Sequence, residues 1–245
     1  MKHERELSLG LVGLFFLGLF FSFYGTSAFA ENGPPVSADA KGIVGCGDAN
    51  ASLARIQSRY DEIEDLSARF TQISESVILA GLPAHGPATS GGEVVLAKPG
   101  RMRWSYLDPV ASIVVSDGEV LWVYDVEAKQ ATRALVGQGY LAGAALQFLL
   151  GDGRLHETFD VKEVACSESR VELELKPQRP ANYEKILVAA DMVSGLVTTT
   201  SVQDLFGNRT TLTFSAIELN RSPDSSTFVF EKPEGVEVID VSSGS

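Results

Sequence analysis

Residues 98–124 read KPGRMRWSYLDPVASIVVSDGEVLWVY, and the alternation within them decides the fold. Met102, Trp104 and Tyr106 fall on one side of a period of two, with Arg101, Arg103 and Ser105 on the other. That is the pattern of a β-strand with one buried face, not of a helix. Three breaks punctuate the stretch, at Lys98-Pro99-Gly100, Asp108-Pro109 and Asp117-Gly118. The last is a hairpin dipeptide, in which glycine supplies a positive φ without steric penalty. Strands are therefore predicted over 101–107, 111–116 and 119–126. The third leaves its inward face open, because Val120, Trp122 and Tyr124 oppose an equally apolar Leu121 and Val123.

On either side the meander continues. Upstream lie a strand over 92–97, a Pro/Gly-rich loop over 80–91, and a strand starting at Leu66, where Leu66, Ala68 and Phe70 alternate with Ser67, Arg69 and Thr71. Ahead of these, Leu53, Ile56, Tyr60 and Ile63 recur at steps of three and four. The spacing predicts an amphipathic helix over 51–65, with Asp48 or Asn50 as its N-cap. Downstream, a strand over 129–134 is followed by a second helix over 140–150, which carries Leu141, Ala145, Phe148 and Leu149 on one face and ends at Gly151-Asp152-Gly153. Strands resume over 158–164, 171–176, 185–190, 196–204 and 210–219, and a short one over 228–230 closes the chain. A mainly β fold of about eleven antiparallel strands follows, too much sheet to stay flat, with the helices as the natural cover for its curled mouth.

Residues 1–30 have the form of a removed signal peptide. Lys2 and Arg5 precede an apolar run from Leu7 to Phe23, and Ala28-Phe29-Ala30 places small residues where signal peptidase cuts. The run is shorter than the about 20 apolar residues of a membrane anchor and lacks a basic stop. Cys46 lies too far beyond it to be a lipidation site. Residues 31–50 read as a linker, 51–240 as a single domain and 241–245 as a tail. The chain carries a formal charge of −12, and the leader holds equal numbers of acidic and basic groups, so its removal changes nothing. Such a protein is repelled by phosphate backbones and by anionic lipid surfaces, which excludes nucleic-acid binding. The two cysteines, Cys46 and Cys166, are expected to form a disulfide in an oxidising compartment.

Catalytic chemistry finds no foothold. Beyond the leader only His85 and His156 remain, neither in a ligand-spaced pair, and no G-x-S-x-G, H-E-x-x-H, Walker A or G-x-G-x-x-G occurs. No enzyme activity, metal or cofactor is expected.

Within the quoted stretch and around it, Gly92, Pro99, Arg101, Trp104, Tyr106, Pro109, Ser116-Asp117-Gly118, Leu121-Trp122 and Tyr124 closely resemble the core signature of the LolA lipoprotein-carrier family. Tyr60, Leu66, Phe70 and Gln72 look like that family's first helix running into its first strand. Phe228-Val229-Phe230, Pro233, Gly235-Val236 and Asp240 look like its closing strand. The resemblance implies an unclosed antiparallel β-barrel with a helical lid over a hydrophobic cavity. It implies a monomeric periplasmic chaperone that takes lipoproteins by their acyl chains from an inner-membrane ABC transporter to an outer-membrane receptor. Leu96, Met102, Trp104, Tyr106, Ile113 and Val115 are then the lipid-facing candidates. Leu53, Ile56, Tyr60, Ile63, Leu141, Ala145, Phe148 and Leu149 form the lid face, although an ordinary core would use the same pattern. Where many members carry an arginine before the proline, this sequence has Lys98, the candidate lid latch, a point charge in place of a five-donor fork. At a turn its loss is expected to affect lid opening more than folding. Met102, bordering a partly empty cavity, is expected to tolerate truncation. The alternatives are a periplasmic lipid- or lipoprotein-sensing module of the same fold, a secreted lipid hydrolase, for which no nucleophile motif exists, and the outer-membrane receptor, disfavoured by the missing lipidation cysteine.

Overall fold

The computed structural model describes residues 46–77, 86–136 and 154–241. The predicted leader, most of the predicted linker, the predicted second helix over 140–150 and residues 242–245 lie outside the described residues.

Helix α1 spans Ala49–Asp61, with the Asp48 carboxylate accepting from the backbone N–H groups of Asn50 and Ala51, each at 3.0 Å. It stops four residues before the predicted end. Ile63 sits at helical spacing from Tyr60, but the next residues are captured by the sheet: Glu64 N donates to Asn220 Oδ1 and Lys98 N to the Glu64 carbonyl. Extended pairing therefore wins over another helical turn, and Ile63 is buried from a turn instead.

Twelve strands follow: β1 Asp65–Glu75, β2 Ala88–Ala97, β3 Arg101–Asp108, β4 Ser112–Ser116, β5 Val120–Asp125, β6 Gln130–Leu135, β7 Phe159–Cys166, β8 Arg170–Pro177, β9 Tyr183–Asp191, β10 Val197–Asp204, β11 Arg209–Leu219 and β12 Glu237–Asp240. A short helix α2, Leu155–Thr158, precedes β7. They form one sheet in the order β12-β6-β5-β4-β3-β2-β1-β11-β10-β9-β8-β7. The two edge strands, β12 and β7, do not pair with each other, so the barrel is unclosed. Every pairing is antiparallel except β12 with β6, which is parallel.

The expected closing strand over 228–230 is not one. Ser225–Phe228 is a turn of 3-10 helix capped by Asp224, and the twelfth strand forms later, at Glu237–Asp240. Phe228 is buried with its ring under the Arg101 guanidinium, so this segment anchors by side chains rather than by a ladder.

The glycine breaks predicted at Gly100 and Gly118 are present, with φ 64° and 102°, and the one predicted at Gly151-Asp152-Gly153 lies outside the described residues. Gly92 meets a different demand. At the irregular step between Gly91 and Gly92, a Cβ on Gly92 would stand 2.0 Å from the Ser105 carbonyl oxygen. Because the obstacle is backbone, Gly92→Ala is expected to cost roughly 1–3 kcal/mol, the range for overpacking. Urea unfolding checks this, and an unchanged midpoint would contradict it.

Candidate ligand-binding face

The register fixes which side chains share the inner face. Met102 pairs with Leu96 on β2 and Ser116 on β4, and Trp104 pairs with Val94 and Val114. Leu121 pairs with Ser116 and Ala134, so the face open in the sequence is settled, with Leu121 and Val123 inward. Across β1 and β11, Leu66, Ala68, Phe70 and Phe214 join the same core, as do Leu173, Leu175, Ile186 and Val188 from the far strands. Leu53, Ile56 and Tyr60 of α1 complete it, which places the helix over the concave side.

Leu96, Met102, Trp104 and Tyr106 lie on one face of the sheet, whereas Ile113 and Val115 do not. Val115 pairs with Arg103 and Ile113 with Ser105, which puts both on the opposite face. Ile113-Val114-Val115 is apolar throughout, so alternation gave no sign of this, and pairing of Trp104 with Val114 decided it. On that outer face a second core collects Tyr124, Ala131 and Val236 with Ile113, Trp122 and Phe230. The Phe230 ring stacks on Trp122 at 4.8 Å.

The inner face is aromatic at its centre. Phe70 meets Trp104 edge-on at 4.9 Å and Tyr106 at 5.0 Å, and Phe214 lies 6.4 Å from Trp104. Tyr106 donates to Gln72 Oε1 at 3.0 Å. Burial pushes the Tyr106 hydroxyl up to about 12. Among the described residues this face is packed, not hollow: Met102 is 0% and Trp104 1% exposed. The expectation that Met102 borders a partly empty cavity is corrected accordingly.

Polar bonds tie α1 to the rest of the fold at several points. Lys98 Nζ donates to the Tyr60 carbonyl at 2.5 Å, at the helix C-terminus, where a cation is favoured. Arg55 donates to the Met192 carbonyl at 2.8 Å, and Val197 N donates to the Tyr60 hydroxyl at 3.2 Å. Leu155 N donates to Gln57 Oε1, linking α2 to α1. Leu141, Ala145, Phe148 and Leu149 lie outside the described residues. Because its ammonium engages the helix end, Lys98 contributes to stability beyond an ordinary turn charge. Lys98→Met is expected to cost about 1 kcal/mol. Hydrogen exchange of α1 amides should accelerate more than that of β3, with Lys98→Arg restoring protection; equal acceleration in both elements would contradict a latch.

Tyr60 reports on the same closure. Burial pushes its pKa from 10.0 up to about 12, against the lowering effect of the Val197 bond and Arg59. A raised pKa on an acid stabilises the fold fully below pH 10.0, and that contribution is lost as pH climbs toward about 12. The last tyrosinates should therefore appear together with loss of near-ultraviolet circular dichroism. All tyrosines titrating before that loss would contradict this.

At the other end of α1, Cys46 and Cys166 form a disulfide with a Cα–Cα distance of 5.7 Å. Glu163 lies beside them and accepts from Gly47 N. The three groups stand close enough to hold an ion, but both sulfurs are bonded to each other and offer no thiolate. His156 is exposed next to Glu157, and His85 lies outside the described residues.

The profile of the family described as outer membrane lipoprotein carrier protein LolA matches residues 61–231. A protein named outer-membrane lipoprotein carrier protein from Alkalilimnicola ehrlichii is 32% identical over 195 residues, covering 79% of this chain and 86% of its own. One of the same name from Legionella pneumophila (strain Paris) is 31% identical over 195 residues, covering 78% of this chain and 91% of its own. Among solved structures, a LolA superfamily protein from Nitrosomonas europaea covers 76% of this chain and 99% of its own at 15% identity, with a TM-score of 0.41. A carrier moves its cargo without altering it, in keeping with a sequence that holds no catalytic motif. By its profile match and these relatives, the chain belongs to the LolA family of outer membrane lipoprotein carriers.

Proposed function

We propose that this protein is a periplasmic chaperone that shields the acyl chains of lipoproteins between α1 and the inner sheet face. Export after removal of residues 1–30, collection from an inner-membrane ABC transporter and delivery to an outer-membrane receptor complete the reading. The observation that supports it is the apolar continuity of the lid with the sheet: Ile56 and Tyr60 belong to the same core as Met102 and Trp104, while polar bonds through Lys98, Arg55, Gln57 and Tyr60 tie the helix at its edges. A helix held in that way can exchange its apolar contacts for hydrocarbon.

The cargo makes the need plain. Each methylene left in water costs about 0.8 kcal/mol, so a lipoprotein with two or three long chains cannot cross an aqueous space uncovered. Leu96, Met102, Trp104 and Tyr106 are the proposed contact residues. Burial of apolar surface is non-directional and accepts chains of varied length. Met102 adds an adaptable thioether side chain, and the net charge of −12 discourages adsorption of the carrier itself to anionic membranes.

A fluorescent fatty-acyl probe tests this. It should bind the purified protein, be displaced by a synthetic triacylated lipopeptide, and remain bound in the presence of the same peptide without acyl chains. Displacement by the unacylated peptide, or no probe binding, would overturn the reading.

A further inference from the structure

On the inner face, Trp104 carries an indole N–H that is buried and meets no hydrogen-bond acceptor among the described residues. Its surroundings explain why. In register it sits between Val94 and Val114, with the Phe70 ring T-shaped to the indole at 4.9 Å between centroids and Phe214 beyond, none of which offers an oxygen or nitrogen acceptor on its side chain. Buried tryptophan N–H groups usually find a partner, and those that do not call for a physical reason. Phenylalanine would fill much of the same space without an orphaned donor.

Polarity rises along this strand. Met102 is aligned with Leu96 and with Ser116, whose hydroxyl accepts from Gly118 N, and two positions past Trp104 the Tyr106 hydroxyl donates to Gln72, whose amide in turn donates to Ser74 Oγ at 3.3 Å. Trp104 stands at the boundary between the two. An acylated ligand has the same order, a hydrocarbon chain, then a carbonyl, then a polar remainder, and a carbonyl oxygen is the acceptor the indole lacks.

We infer that the Trp104 N–H is the donor for an acyl carbonyl oxygen of the cargo, with the hydrocarbon running toward Met102 and Leu96 and the polar remainder toward Tyr106 and Gln72. The inference rests on the proposed carrier function. It adds a fixed point to a site otherwise governed by non-directional contact, setting the depth to which each chain enters.

The test uses the whole protein labelled with nitrogen-15 tryptophan, whose two indole N–H signals, from Trp104 and Trp122, are assigned with Trp104→Phe. Three probes are titrated: dioctanoylglycerol for an ester carbonyl, N-octyl octanamide for an amide carbonyl and hexadecane for neither. The expected result is a downfield shift of the Trp104 N–H proton with a carbonyl probe and little change with hexadecane, and the arm that responds identifies the linkage. In Trp104→Phe, affinity for that probe should fall roughly three- to ten-fold, the size of one hydrogen bond, while hexadecane affinity is retained. If all three bind but shift the indole alike, the inference is overturned and the carrier reading stands. If none binds, both fall. The shift is read on the wild-type protein, so poor folding of the variant does not remove the test.

Discussion

Met102→Glu is expected to leave little folded protein at neutral pH, whereas Met102→Ala should fold but lose roughly 2–5 kcal/mol of stability. The side chain has no accessible surface and sits between Leu96 and Ser116 in a core that reaches to α1. Alanine leaves a void that its neighbours refill only in part. Glutamate places a carboxylate between Leu96 and Ser116, neither of which carries a positive charge, and burying an unpaired charge costs far more than losing a methyl thioether. Urea unfolding of the alanine variant and thermal unfolding of the glutamate variant measure the two effects. Near-wild-type stability in both would show that Met102 borders open space, and the packed face described above would be wrong. For Met102→Ala, acyl-probe affinity measured on the folded fraction should also fall, since the residue is a proposed contact.

Removing the disulfide, as Cys46→Ser with Cys166→Ser, should have an effect of similar size. The bond closes a loop with a sequence separation of 120 residues, for which chain entropy alone gives roughly 4–5 kcal/mol. Its position makes the loss uneven. Cys46 lies two residues ahead of the Asp48 cap and Cys166 ends β7, so the bond fixes the start of α1 to an edge strand. Native-state hydrogen exchange in the double variant should rise most in α1 and least in β1 to β3, where each strand has partners on both sides. An unchanged unfolding midpoint, or uniform acceleration, would contradict a role in seating the lid.

The strands around Met102 were legible because one side of β3 carries Arg101 and Arg103, which makes the alternation unambiguous. Where both faces are covered, the same reasoning stalls. Ile113-Val114-Val115 and Val120 to Tyr124 are apolar on both sides because the C-terminal segment packs Phe230 and Val236 against the outer face. Nothing local in the sequence announces that cover. Phe228-Val229-Phe230 looked like a strand for the same reason: two aromatic anchors alternate with an exposed Val229, but what they meet is a sheet face and not an edge. Tyr60 and Ile63 share a helical spacing even though the helix ends between them, since strand pairing from Asp65 overrides it. The lone donor on Trp104 could not be read from sequence at all, because it depends on Val94, Val114 and Phe214, brought together by register and by the pairing of β1 with β11.

Whether acylated protein is the cargo is tested by native mass spectrometry of the full chain, residues 1–245, expressed in a bacterium that makes lipoproteins and isolated from the periplasm without detergent. The expected result is a population carrying the mass of a triacylated protein, lost when the acyl chains are enzymatically removed. A protein recovered wholly free of cargo, or carrying partners that lack acyl chains, would contradict it.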